Sequence, residues 1–102
     1  MAISEDINHL EKEIELLNKK YERFFSGAER KEPSDDRSRV ESLARRLLGE
    51  FIANSGQSFR LGTVTRRLTT YKAHWDRILR EMEENGLRKT KKGKVLPGKN
   101  RL

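Results

Sequence analysis

The chain has 102 residues, 33% of them hydrophobic and 38% charged, and a formal net charge of +7. So little apolar material limits it to one domain of at most two packed layers, and it suits long amphipathic helices, each burying one stripe and leaving its other positions for charge. Cysteine is absent, which excludes disulfides and thiolate metal sites. There is no signal-peptide h-region and no run of about 18 apolar residues, so the expectation is a cytoplasmic protein without a membrane span.

The first expected helix covers about residues 3–26. Ile3, Ile7, Leu10, Ile14, Leu17, Tyr21 and Phe24 are spaced 4, 3, 4, 3, 4, 3, a heptad seam with Ile7 and Ile14 at a and Leu10 and Leu17 at d. In a parallel dimer Asp6 at g would meet Glu11 at e of the partner. That like-charge contact disfavours parallel coiled-coil self-association, so the seam is expected to pack onto the rest of its own chain. Ser26-Gly27 is the expected stop.

Residues 28–33 are charged and break the pattern, and Pro33 pushes Glu32 away from helical geometry. Ser34 then reads as an N-cap, with Asp35 and Asp36 in the first turn, where the helix dipole favours negative charge. The second helix is expected over about 35–54. Its apolar residues Val40, Leu43, Ala44, Leu47, Leu48, Phe51 and Ile52 span about 180° of the wheel, enough to touch two neighbours. Arg37, Arg39, Arg45 and Arg46 balance four acids there and read as a solvated face.

Asn54-Ser55-Gly56 is a stop-and-turn cluster, and Ser58 is the expected cap of a third helix over about 59–85. Leu61, Val64, Leu68, Tyr71, Trp75, Ile78 and Met82 recur at alternating steps of three and four, one stripe of a helix. Trp75 falls at the centre of that seam and is expected in the core. Gly62 weakens the first turn by roughly 1 kcal/mol relative to alanine, and Thr69-Thr70 is where a break would fall. Asn85-Gly86 is the expected end, placing Glu81, Glu83 and Glu84 where the dipole disfavours them. Residues 87–102 have no apolar period and are expected to be a flexible basic tail.

Two all-α architectures follow. If the third helix is continuous, residues 1–86 form an up-down-up bundle of three helices with coiled-coil-like packing. If it breaks at Thr69-Thr70, helices over 38–54, 61–68 and 72–85 with a hairpin over 87–96, turning at Lys92-Gly93, would make a winged helix-turn-helix behind the first helix. The unbroken period through Leu68, Tyr71 and Trp75 favours the bundle.

Tyr21, Phe24, Phe25 and Gly27, then Glu32-Pro33, then Phe59-Arg60, then Tyr71, Trp75, Arg77, Arg80 and the acidic run before Gly86 form a pattern across residues 21–86. It resembles an uncharacterised helical domain of deltaproteobacterial proteins, although there the acidic pair runs straight into glycine and here Asn85 intervenes. The resemblance implies a compact helical domain and brings no activity, cofactor or site residues.

No catalytic signature is present: no glycine-rich phosphate loop, nucleophile elbow or paired carboxylates in an apolar setting. His9 and His74 lack zinc-ligand spacing. A non-enzymatic protein without cofactors is expected, and the charge distribution points to its partner. Residues 1–33 carry 6 basic and 8 acidic side chains and residues 34–57 carry 4 and 4. Residues 58–86 carry 6 and 4, and residues 87–102 carry 7 and none. Such polarity favours a polyanion, DNA or RNA first and an anionic lipid surface second.

The expected phosphate contacts are Arg88, Lys89, Lys91, Lys92, Lys94, Lys99 and Arg101, beside a helix bearing Arg60, Arg66, Arg67, Lys72, Arg77 and Arg80. At about 100° per residue, Arg66, Arg77 and Arg80 fall within roughly 60° of one another, opposite Trp75. The bland reading of the tail is solubility. From another class, the chain would be an adaptor whose first-helix seam pairs with a partner protein's helix, anchored by Tyr21, Phe24 and Phe25. The bland reading of those rings is core. Oligomeric state is left open.

Overall fold

The heptad seam of the first helix turns into its own chain: Ile7, Leu10, Ile14, Leu17 and Tyr21 are all buried. The computed structural model describes residues 3–89, and they form three α-helices with no strand: α1 (Ile3–Phe25), α2 (Ser34–Leu48) and α3 (Ser55–Lys89). They belong to two compact units that divide within α3, between Tyr71 and Lys72. In the first unit α1 packs against both α2 and α3. Val40, Ala44 and Leu47 of α2 and Leu61, Val64 and Leu68 of α3 complete its buried core. In the second unit Trp75 is 1% exposed.

Polar contacts fix the helix directions in the first unit. Along α2, Asp36 meets Lys20 and Arg39 meets Glu13, so α2 runs antiparallel to α1. Along α3, Arg60 meets Glu11, Arg67 meets Glu15 and Tyr71 meets Glu15, so α3 runs parallel to α1. This is the up-down-up order, and the break at Thr69-Thr70 that a winged helix-turn-helix requires is absent. Thr69 and Thr70 lie inside α3, their hydroxyls donating to the carbonyls of Thr65 and Arg66 at 3.2 and 3.1 Å. This back-bonding satisfies β-branched polar side chains without opening the helix. Of the expected wing, residues 87–89 are helical and the remainder lies outside the described residues.

The first helix ends where expected. Gly27 has φ +90°, and the N–H groups of Ala28 and Gly27 reach the carbonyls of Arg23 and Phe24 at 2.9 and 3.2 Å. These two bonds make a Schellman motif, which needs a residue tolerant of positive φ at that place. Tyr21, Phe24 and Phe25 form a chain of tilted rings with centroids 5.6 and 5.7 Å apart. Tyr21 is buried and the two phenylalanines are half-buried.

Four expected boundaries move. Ser34 is inside α2, and the cap position is held by Pro33, with φ −77° and ψ 55°. Those angles and the 2.8 Å bond from the Ser34 N–H to the Glu32 carbonyl make an inverse γ-turn, so the backbone replaces the side-chain cap. The second helix stops at Leu48 instead of near residue 54, because Gly49 caps it and donates to the carbonyls of Arg45 and Arg46. Phe51 and Ile52 are therefore outside the helix, and Phe51 is 92% exposed.

The third helix begins one turn early, at Ser55, because Asn54 is its cap: the Asn54 Oδ1 accepts from the Gln57 N–H at 2.9 Å. It also passes through Asn85-Gly86 to Lys89. Leu87, Arg88 and Lys89 have good helix propensity, which offsets the cost of Gly86. Glu81, Glu83 and Glu84 consequently lie ahead of the last turn, and all three are exposed.

Candidate nucleic-acid interface

The cations of α3 separate into two groups. Arg60 and Arg67 face α1: Arg60 Nη2 is 2.7 Å from Glu11 Oε1, and Arg67 Nη1 is 3.0 Å from Glu15 Oε2 and 3.5 Å from Glu11 Oε2. Tyr71 extends the row by donating to Glu15 Oε1 at 3.1 Å, and burial followed by the Glu15 carboxylate pushes its phenol up. Each exposed pair adds only about 0 to 1 kcal/mol, but together they hold α3 in register on α1, and neither arginine belongs to the expected face of Arg66, Arg77 and Arg80. Sequence reasoning missed these pairs. The signal was present in Glu11 and Glu15, one turn apart on α1, opposite Arg60 and Arg67, two turns apart on α3.

The predicted face itself is placed as follows. Arg66, in the first unit, is exposed and forms no ion pair among the described residues. In the second unit Arg77 and Arg80 are both exposed. Arg77 Nη2 lies 3.2 Å from His74 Nδ1, and Arg80 has no ion pair among the described residues. Arg88 and Lys89 occupy the last turn of α3. Lys91, Lys92, Lys94, Lys99 and Arg101 lie outside the described residues.

Several cations of α1 and α2 are also engaged. Lys20 pairs with Asp36 at 2.9 Å, and Arg39 bridges Glu13 and Asp36 at 2.8 and 3.1 Å. Lys20 and then Arg39 hold the Asp36 carboxyl below the usual carboxylate range. Arg37 pairs with Glu41 at 3.2 Å, and Arg46 with Glu50 at 3.6 Å. The expected solvated arginine face of α2 is thus in part a set of ties. Residues 1–71 hold 13 basic and 12 acidic side chains, and residues 72–102 hold 10 and 4. The excess positive charge is +1 in the first segment and +6 in the second.

The adaptor surface fares differently. Its seam is in the core, and Tyr21 is fixed there by polar contacts as well as burial. The Tyr21 hydroxyl donates to Glu32 Oε2 at 2.7 Å and accepts from Arg37 Nη1 at 3.5 Å. Burial, reinforced by Glu32 and opposed by Arg37, pushes the phenol up to about 12. Because an unfolded tyrosine ionises near 10, the native state keeps this proton after the unfolded chain has lost its own. The stabilisation is whole below pH ~10 and is lost as pH rises to about 12, a change of about 2 kcal/mol. Urea titrations across that window should show a steeper loss for the wild-type chain than for Tyr21→Phe. Parallel pH profiles would reject the assignment.

Among the described residues no group of three or more His, Asp or Glu side chains is placed to hold a metal ion, and no helix is long and apolar enough to cross a membrane. No family model, curated protein or solved structure matches the chain.

Proposed function

We propose that the chain binds nucleic acid by contacting backbone phosphates with Arg66, Arg77 and Arg80 of α3 and with the basic residues 88–101. The observation that carries this reading is the uneven charge: acids nearly balance bases through Tyr71, and ten basic residues against four acids follow. A polyanion gains most from that second segment, since each neutralised phosphate releases condensed counterions. Arg66 and Arg80 support it further, because neither forms an ion pair among the described residues. Phosphate contacts position a protein without reading bases. With no separate recognition helix on α3, the binding is salt-sensitive and weakly dependent on sequence.

The test is an electrophoretic mobility shift with DNA and with RNA at two salt concentrations. Changing Arg66, Arg77 and Arg80 together to alanine should weaken binding and reduce the slope of log K against log salt on duplex DNA by about 2 to 3, near 0.9 per contact. Absence of binding even at low salt would reject the proposal.

A further inference from the structure

The outward stripe of α3 in the first unit carries more than charge. Phe59, Thr63, Arg66 and Thr70 follow one another at steps of four, three and four, and all are exposed. At about 100° per residue they lie opposite the buried Leu61, Val64 and Leu68. No member of the stripe is acidic. Phe59 is 72% exposed, and its ring meets no other aromatic ring among the described residues. Between Phe59 and Arg66 lies Gly62, and the Arg66 guanidinium folds back over it: Nη1 is 3.8 Å from where a Cβ on Gly62 would stand. The cation is thereby brought back along α3 toward Gly62, three residues from Phe59.

An exposed aromatic face beside an unpaired arginine has a defined complement. Inside a duplex the bases stack on one another and offer only their edges in the grooves, so a protein ring has no base face to meet there. Unpaired bases do offer one, and stacking on an aromatic side chain with a nearby cation tracking the backbone is how single strands are held without sequence preference. We infer that Phe59 and Arg66 form a single-strand subsite, with an unpaired base stacked on the Phe59 ring and its phosphate held by the Arg66 guanidinium. The inference rests on the nucleic-acid reading above and specifies the class of strand that reading leaves open.

Fluorescence anisotropy with labelled mixed-sequence single strands of DNA and RNA, and with a duplex of equal length, tests it on the full chain at two salt concentrations. Phe59→Ala should weaken single-strand binding about 5- to 140-fold, the range for one stacked base. It should leave the salt slope unchanged and duplex affinity within twofold, while Phe59→Tyr retains single-strand binding. Circular dichroism of each variant checks that the helices remain. No loss with Phe59→Ala, or equal loss on duplex and single strand, would overturn the subsite, while salt-dependent binding of either nucleic acid would leave the phosphate reading standing. Failure of every strand to bind at low salt would remove both. If Phe59→Ala instead lowers the sedimentation mass or abolishes binding to anionic phospholipid vesicles, with single-strand affinity unchanged, the ring serves a second copy or a lipid surface and the subsite is overturned.

Discussion

Replacing Trp75 with alanine is expected to lower the unfolding free energy by about 3 to 5 kcal/mol, the cost of truncating a large buried aromatic and leaving its volume unfilled. Trp75 heads the fully buried side chains by volume and is 1% exposed. Against a total stability of about 5 to 15 kcal/mol for a small domain, such a loss leaves little margin. Urea denaturation followed by far-UV circular dichroism measures it without the tryptophan as probe. Phe51→Ala is the comparison, since a ring 92% exposed should change stability by no more than about 0.5 kcal/mol. A Trp75 effect below about 1 kcal/mol would mean that its burial contributes nothing to folding.

Helix number, order and buried stripes were legible because they depend on periodicity, and periodicity survives single-residue exceptions. The seams Ile7-Leu10-Ile14-Leu17-Tyr21 and Leu61-Val64-Leu68-Trp75 became buried stripes as their spacing required. The second seam weakens beyond Trp75, where Ile78 is half-buried and Met82 exposed, so the period alone overstates the core. Helix ends were less legible because each is a local contest. At Pro33 the backbone turn displaced the Ser34 cap, and at Asn54 a cap was hidden inside a cluster that reads equally as a stop. At Gly49 one glycine ended α2 although apolar residues in phase continued to Ile52. The general weakness is that a hydrophobic pattern says which face would be buried if the helix continued, and not whether it continues.

The candidate site divides along the same line. That the chain's excess positive charge lies late in sequence is a count, and no fold alters it. Which arginines of α3 remain available for a phosphate is a matter of register, and adjacent Arg66 and Arg67 show why sequence alone was insufficient. Only about 100° of rotation separates them, yet Arg67 is tied to Glu15 of α1 and Arg66 lies on the outward side over Gly62. The exposed stripe through Phe59 depends on where α3 begins. A helix opening at residue 59 would have set that ring at a fraying end, whereas the start at Ser55 places it a full turn inside a capped helix.

The largest functional effect is expected from the basic C-terminal residues, and two truncations separate their charge from the end of α3. Removing residues 90–102 deletes Lys91, Lys92, Lys94, Lys99 and Arg101 and leaves α3 whole. Removing residues 87–102 also takes Arg88 and Lys89. If every one of these cations meets a phosphate, the slope of log K against log salt on duplex DNA should flatten by about 4 to 5 in the first case and about 6 in the second, at 0.9 per contact. Six or more such contacts correspond to roughly a thousandfold change in affinity between 50 and 200 mM salt, so the difference between full-length and truncated chains should be plain in a binding titration. The chain lacking residues 90–102 should keep a complex whose residual slope comes from Arg88 and Lys89 as well as the helix face, and the chain lacking residues 87–102 a weaker one whose slope comes from Arg66, Arg77 and Arg80. Held one turn apart on the same stretch of helix, Arg77 and Arg80 restrict how the nucleic acid lies in a way that contacts dependent on charge alone do not. Combining the longer truncation with alanine in place of Arg66, Arg77 and Arg80 should abolish binding. If affinity and slope survived that combination, attraction between these cations and phosphates would not be the basis of binding.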